Sequence, residues 1–190
     1  MSEVEAAGAV EAPAVPFERS YWVEPGRLLA GAYPGNRDPR KARAKMERLV
    51  GAGIRTMVDL TGEAETNWAG EPFAGYAEAF LQAARGRGVP ARCLRFPVPD
   101  FSVPTRERMA EILDAIDASL AEGRPVYVHC WGGIGRTGTV VGCWLSRHGV
   151  ASGEEALERI AHLRRDDPLA WRFSPESDEQ RRMVTTWSEP

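Results

Sequence analysis

Apolar residues recur along this chain with two periods, and the switch between them marks its elements. Met109, Ile112, Leu113, Ile116 and Leu120 form one helical stripe, which Thr105 caps and Gly123 stops. Val126-Tyr127-Val128 follows as a buried strand. Nearer the start, Tyr21-Trp22-Val23 and Leu28-Leu29-Ala30, joined by a Glu24-Pro25-Gly26 turn, predict a short hairpin. Asp38-Pro39 opens a helix that runs to Leu49-Val50 and ends at Gly51. Thr56 to Leu60 reads as a buried strand, Tyr76 to Ala84 as a helix, and Cys93 to Phe96 as a strand ended by Pro97 and Pro99. After Arg136 a helix carries Val140, Val141, Trp144 and Leu145 and stops near Gly149. Ser152 and Glu155 make a capping-box pattern for a helix through Leu163, and Ser174-Pro175 starts a last helix reaching Val184. Strands alternating with helices predict one α/β domain with a mainly parallel central sheet flanked by helices. Such folds place ligands at the C-terminal edge of the strands.

The segment at that edge after Val128 is His129-Cys130-Trp131-Gly132-Gly133-Ile134-Gly135-Arg136-Thr137-Gly138. It is a strand end, a tight glycine-rich loop and a helix start. Its backbone N–H groups can turn inward as a nest for an anion, and the helix end adds its own unpaired N–H groups and positive dipole. A thiol in such surroundings is favoured as thiolate. A nucleophile beneath an oxyanion cradle, with a guanidinium fork six residues on, suits attack on phosphorus. A lone cysteine in a glycine-rich turn is usually a packing residue; the fixed Cys–Arg spacing argues for chemistry.

This loop resembles the signature of the cysteine-dependent protein phosphatases: Cys, five residues, Arg, then Ser or Thr. The Gly-Gly pair and the aromatic after Cys130 are similar to the kinase-associated branch of the dual-specificity phosphatases. The resemblance implies a protein-tyrosine-phosphatase-like fold. Cys130 would be the nucleophile, Arg136 and the backbone of Trp131, Gly132, Gly133, Ile134 and Gly135 would bind phosphate, and His129 would brace the loop. It also implies that the Thr137 hydroxyl aids departure of the sulfur, and that Gln180 on the last helix places the hydrolytic water. Rhodanese-type loops are one residue shorter. A Walker loop would end in Gly-Lys-Ser/Thr, and no lysine follows Gly135. Low-molecular-weight phosphatases carry their cysteine near the chain start.

A phosphoester leaving group needs a proton. Asp100 lies in the proline-braced stretch Phe96 to Pro104, thirty residues before Cys130 and just past a strand end. This is similar to the general-acid loop of dual-specificity phosphatases. Asp114 and Asp117 fall opposite the apolar stripe of their helix, where solvent suits them, and Asp59, which follows a strand, is a further candidate. Cys143 reads as core, and Cys93 as core or as a resolving partner for oxidised Cys130. Arg40, Lys41, Arg43, Lys45 and Arg48 give the helix after Asp38 a basic face, solvated or docking.

Composition narrows the class. At 190 residues, 43% hydrophobic and 27% charged, the chain fits one soluble domain, expected over residues 17–190 behind a disordered tail of residues 1–16. A net charge of −3 gives no reason to expect nucleic acid, and no apolar run suggests a membrane partner. Three cysteines do not suggest a disulfide framework, the start has no basic signal region, and a thiolate enzyme suits the reducing cytoplasm. No cofactor or metal is expected: His129, His148 and His162 lack ligand spacing. The oligomeric state is left open.

The expected function is hydrolysis of phosphotyrosine and phosphoserine/phosphothreonine in a phosphoprotein or phosphopeptide, through a phosphocysteine intermediate. Tyrosine-specific relatives wall a deep cleft with an aromatic in an Asn-Arg-Tyr context; Tyr21, Tyr33 and Tyr76 sit in other contexts, which implies a shallower cleft. The alternatives are a phosphatase of phosphoinositides, inositol phosphates or RNA 5′ ends, or a phospho-binding module without turnover. Lipid phosphatases of this superfamily tend to carry lysines within the loop, which here is uncharged between Cys130 and Arg136.

Overall fold

The structure, a computed structural model, describes residues 13–190 apart from Trp68. Of the expected tail, residues 1–12 lie outside the described residues.

Five strands form one sheet: β1 (Ser20–Glu24), β2 (Leu28–Gly31), β3 (Thr56–Asp59), β4 (Arg92–Arg95) and β5 (Val126–His129). Their order is β1-β2-β5-β3-β4. The hairpin β1–β2 is antiparallel, with a register shift between Trp22 and Glu24, and every other pairing is parallel. This is the mainly parallel sheet that the alternating elements predict.

Strand side chains alternate between faces, and two cores result. Leu29, Met57 and Tyr127 pack with Met46 and Leu49 of α1 (Pro39–Gly51) and Phe80 of α2 (Ala77–Gly86). Ala30, Val58 and Val128 pack on the opposite face. There they meet α3 (Arg106–Ala121), α4 (Gly135–Arg147), α5 (Gly153–Leu163) and α6 (Asp178–Thr185). The layers are helices, sheet, helices.

Caps follow the local chemistry in most places. The Asp38 carboxylate accepts from the N–H groups of Arg40 and Lys41, and the Thr105 hydroxyl accepts from Arg108 N–H. Two expectations need correcting. Ser152 is the N-cap of α5 but its hydroxyl makes no capping bond; Glu154 and Glu155 supply negative charge to that first turn instead. The last helix begins at Asp178, not at Pro175, because Ser177 and Gln180 form a reciprocal capping box. The Ser174 hydroxyl is already used, donating to the Ile134 carbonyl at 2.7 Å.

All residues of α4 from Gly135 to Leu145 are buried. A Cβ on Gly138 or Gly142 would run into Ser174 or Val184, so these two glycines let the 164–177 segment and α6 lie against α4. That contact brings the late part of the chain against α4, which starts at the C-terminal edge of β5.

Candidate active site

The loop between β5 and α4 holds its nest shape because its carbonyls are held outward. The Cys130 carbonyl accepts from His129 Nδ1 at 3.1 Å, and the Trp131 carbonyl from Tyr33 N–H at 2.8 Å. Gly132 accepts from Arg19 Nη2 at 2.6 Å, and Ile134 from the Ser174 hydroxyl. With the carbonyls tied to the surrounding structure, the N–H groups between them turn the other way. One observed result is the Gly133 N–H, which donates to Cys130 Sγ at 3.3 Å. Gly133 is at φ 68°, a left-handed conformation that glycine alone adopts without strain, and its Cα packs directly on the backbone of Gly31 and Ala32.

Cys130 is 2% exposed, at the bottom of its loop. Arg136 is equally buried and spans the site. Its Nη1 donates to the Val98 carbonyl at 3.0 Å, and Nη1 and Nη2 each meet a carboxylate oxygen of Glu65 at 2.7 Å. Asp100 Oδ1 lies 3.0 Å from Nη2. Burial disfavours the guanidinium charge, but the Glu65 bonds and the nearby Cys130, Glu65 and Asp100 outweigh it and hold the pKa above the usual arginine range. Burial likewise pushes the Glu65 carboxyl upward; the bonds from Arg136 and Gly62 N–H win and leave it below its ordinary value. The Nε–H of Arg136 is buried and has no protein partner among the described residues.

His129 is fully buried, and burial lowers its pKa, so the ring is neutral. A carbonyl only accepts, which assigns the ring proton to Nδ1, facing Cys130 O; Nε2 then accepts from the Tyr76 hydroxyl at 2.6 Å. His129 thus ties the loop to the N-cap residue of α2. Asp59 is not free to act as an acid: its Oδ1 accepts from the N–H and hydroxyl of Thr61, and Oδ2 lies 3.2 Å from Arg95 Nη2. Asp114 and Asp117 pair with Arg147 on the far side.

Thr137 is buried beside the loop, and its hydroxyl makes no hydrogen bond among the described residues. Gln180 abuts Gly135, but its amide is committed: Oε1 accepts from Ser177 N–H, and Nε2 donates to the Ser102 carbonyl at 3.1 Å. It ties α6 to the Asp100 loop. Cys93 faces the α1–α2 core, across the sheet from the cluster that contains Cys130, and burial pushes its thiol up to about 11. That placement argues against Cys93 as a resolving partner.

Sequence reasoning missed five contributors. Glu65, Tyr76, Arg19 and Ser174 brace the loop from distant positions. Glu176 sets its carboxylate against Gly135 beside the Gln180 amide, its pKa raised by burial despite Arg172 at 2.8 Å. The Thr-Gly-Glu-Ala-Glu run at 61–65, directly after a strand end, was the one available signal for Glu65.

The family model described as the PTP-SAK, or Swiss Army Knife, DSP-PTPase phosphatase domain matches residues 17–177. The chain belongs to this phosphatase family. The matched span contains Glu65, Asp100, Cys130 and Arg136. This DSP-PTPase domain is 30% identical to mouse protein tyrosine phosphatase domain-containing protein 1 over 132 residues, which is 66% of the chain and 16% of the relative. It spans 16–39% of the length of the first curated relatives it matches. Among solved structures it is similar to the active form of Tk-PTP, with 26% identity, TM-score 0.60, and 87% of this chain and 93% of that one covered. It also shares the fold of PTPMT1 in complex with PI(5)P, with 21% identity, TM-score 0.65, and 88% and 92% covered. No helix among the described residues is long and apolar enough to cross a membrane.

Proposed function

We propose that this DSP-PTPase domain hydrolyses phosphotyrosine and phosphoserine/phosphothreonine esters through a phosphocysteine intermediate. The observation that carries the reading is the set of contacts that joins Cys130 Sγ to the Gly133 N–H and the Arg136 guanidinium to the Asp100 carboxylate, with Cys130 near enough to act on the Arg136 charge.

The steps follow from those positions. Phosphate oxygens take the loop N–H groups and the Nε–Nη2 edge of Arg136, since Glu65 occupies its Nη1–Nη2 end. Asp100 now sits on Nη2, so an entering phosphoryl group displaces it toward the ester oxygen. The Cys130 thiolate attacks phosphorus; the S–P bond forms, the P–O ester bond breaks, and Asp100 gives its proton to the leaving oxygen. Asp100 then removes a proton from water, the water oxygen bonds phosphorus, and the S–P bond breaks to regenerate the thiolate. Gln180 holds the Asp100 loop through Ser102, and the buried Thr137 hydroxyl, which has no hydrogen-bond partner among the described residues, would donate to the departing sulfur. A thiolate nucleophile suits the reducing cytoplasm.

The test uses phosphotyrosine and phosphothreonine peptides, inositol phosphates and a 5′-triphosphorylated RNA at one pH and salt concentration. Cys130→Ser should abolish turnover while keeping vanadate binding. Asp100→Asn should cost about 10²–10⁴ in rate on an aryl phosphate and remove the basic limb of the pH profile. Equal loss from Asp59→Asn, with Asp100→Asn silent, would overturn the acid assignment. An inositol phosphate or RNA with kcat/KM more than about tenfold above every peptide, some 1.4 kcal/mol in transition-state binding, would overturn the substrate class.

A further inference from the structure

Beside the catalytic loop lies a second concavity, of about 530 Å³, lined by Phe17, Arg19, Ala32, Tyr33, Lys45 and Arg48, with Glu18 as its only carboxylate. Two of its cations come from the basic helix α1, whose role the catalytic site does not account for. Lys45 and Arg48 form no salt bridge among the described residues, whereas Arg43 of the same helix pairs with Glu47. Lys45 is half-buried, with its ammonium 4.7 Å above the Phe17 ring. Burial and the neighbouring Arg48 both disfavour its charge, and Glu18 opposes them only in part. An anion in the concavity would relieve that repulsion.

The concavity shares a wall with the phosphate nest. Ala32 lines it, and Gly133 packs on Ala32 while donating its N–H to Cys130 Sγ. Arg19 reaches both sides: it lines the concavity, donates to the Gly132 carbonyl at 2.6 Å, and pairs with Asp167 at 3.1 Å. Tyr33 does the same through its backbone, donating to Trp131 O. A dianion with several acceptor oxygens matches an ammonium and a guanidinium fork better than a single carboxylate does.

We infer that this Arg19–Lys45–Arg48 pocket receives a second phosphoryl group, carried by the same substrate whose scissile phosphate enters the Cys130 loop. The inference rests on the phosphatase reading above. It supplies from neighbouring elements the positive charge that the uncharged residues between Cys130 and Arg136 lack.

The test pairs singly and doubly phosphorylated forms of one peptide, at several spacings, and of one inositol scaffold. Wild type is compared with Lys45→Ala/Arg48→Ala; both residues are off the catalytic loop, and circular dichroism checks the fold. Wild type should favour the doubly phosphorylated form on at least one scaffold by about tenfold in kcat/KM, with the advantage shrinking as salt rises. The double variant should lose that advantage and keep the singly phosphorylated rate. No preference in wild type, or one that survives in the variant, would overturn the inference. So would a response to added sulfate that needs Lys45 and Arg48 without any preference for a second substrate phosphate, because the site would then take a free anion. Should the enzyme turn nothing over, the phosphatase reading fails; calorimetric binding of the same pairs to Cys130→Ser protein still decides on the pocket.

Discussion

Glu65 grips both terminal nitrogens of Arg136, at 2.7 Å each. The pair joins the loop after β3 to the first turn of α4, and it fixes which edge of the guanidinium faces the nest. Arg136 carries a rigid planar guanidinium on a long flexible stem; with Nη1 and Nη2 held by Glu65, the unpartnered Nε–H edge is fixed in place without further ordering.

Glu65→Gln should therefore impair phosphate recognition without touching the nucleophile. The amide keeps the shape but offers one acceptor in place of two charged ones. We expect kcat/KM to fall about tenfold to a hundredfold, the scale of a misplaced positioning group, with vanadate binding weakened in parallel. Alkylation of Cys130 by iodoacetate should continue. Wild-type vanadate affinity in this variant would show that Arg136 is oriented by Asp100 and the Val98 carbonyl alone.

Gly133→Ala tests the loop backbone. The position has positive φ, and an added Cβ meets main-chain atoms of Gly31 and Ala32 that cannot swing aside. Strain of this kind costs about 1–3 kcal/mol before the clash is counted. Urea unfolding should show a loss of at least that size, and turnover should drop far more than for Gly26→Ala, where the Cβ meets nothing within 4 Å. Similar losses for the two variants would mean that contact with β2 does not shape the nest.

His129 gives a pH dependence of stability with a definite sign. Its folded pKa is depressed by burial below the ordinary 6.5, so the unfolded chain binds this proton first. The neutral ring's contribution is complete above 6.5 and declines as pH falls from there toward the folded pKa, by up to about 1.36 kcal/mol per unit. Unfolding free energies between pH 7.5 and 5.5 should fall in wild type and flatten by that amount in His129→Gln. An unchanged slope would show that His129 does not carry this pH dependence.

Much of the fold was legible because it is local. Met109 to Leu120 show α3 by spacing alone, and Asp38-Pro39 shows the start of α1. The candidate catalytic loop was legible for the same reason: Cys130, the glycines and Arg136 lie within one strand–loop–helix unit. The start of the last helix was not, since Ser174-Pro175 and Ser177 both offer capping chemistry. Contact with Ile134 takes the Ser174 hydroxyl, and that contact exists only once the 164–177 segment lies on α4.

The chain by itself determined the elements, the family signature and the candidate nucleophile, arginine and acid. Tertiary structure alone decided their partners. The 61–65 run follows a strand end, but nothing local distinguishes Glu65 from Glu63 within it as the mate of Arg136; the reach to Arg136 follows from β3 lying beside β5 in the sheet. Arg19 reaches Gly132 because β1 folds back on β2 and carries its start to the catalytic edge. Sequence periodicity reports which face of an element is buried, but the angular reach of a side chain to a residue some seventy positions away depends on strand order. The charge around the nest was settled there: the loop is neutral along the chain, and its surroundings in space are not.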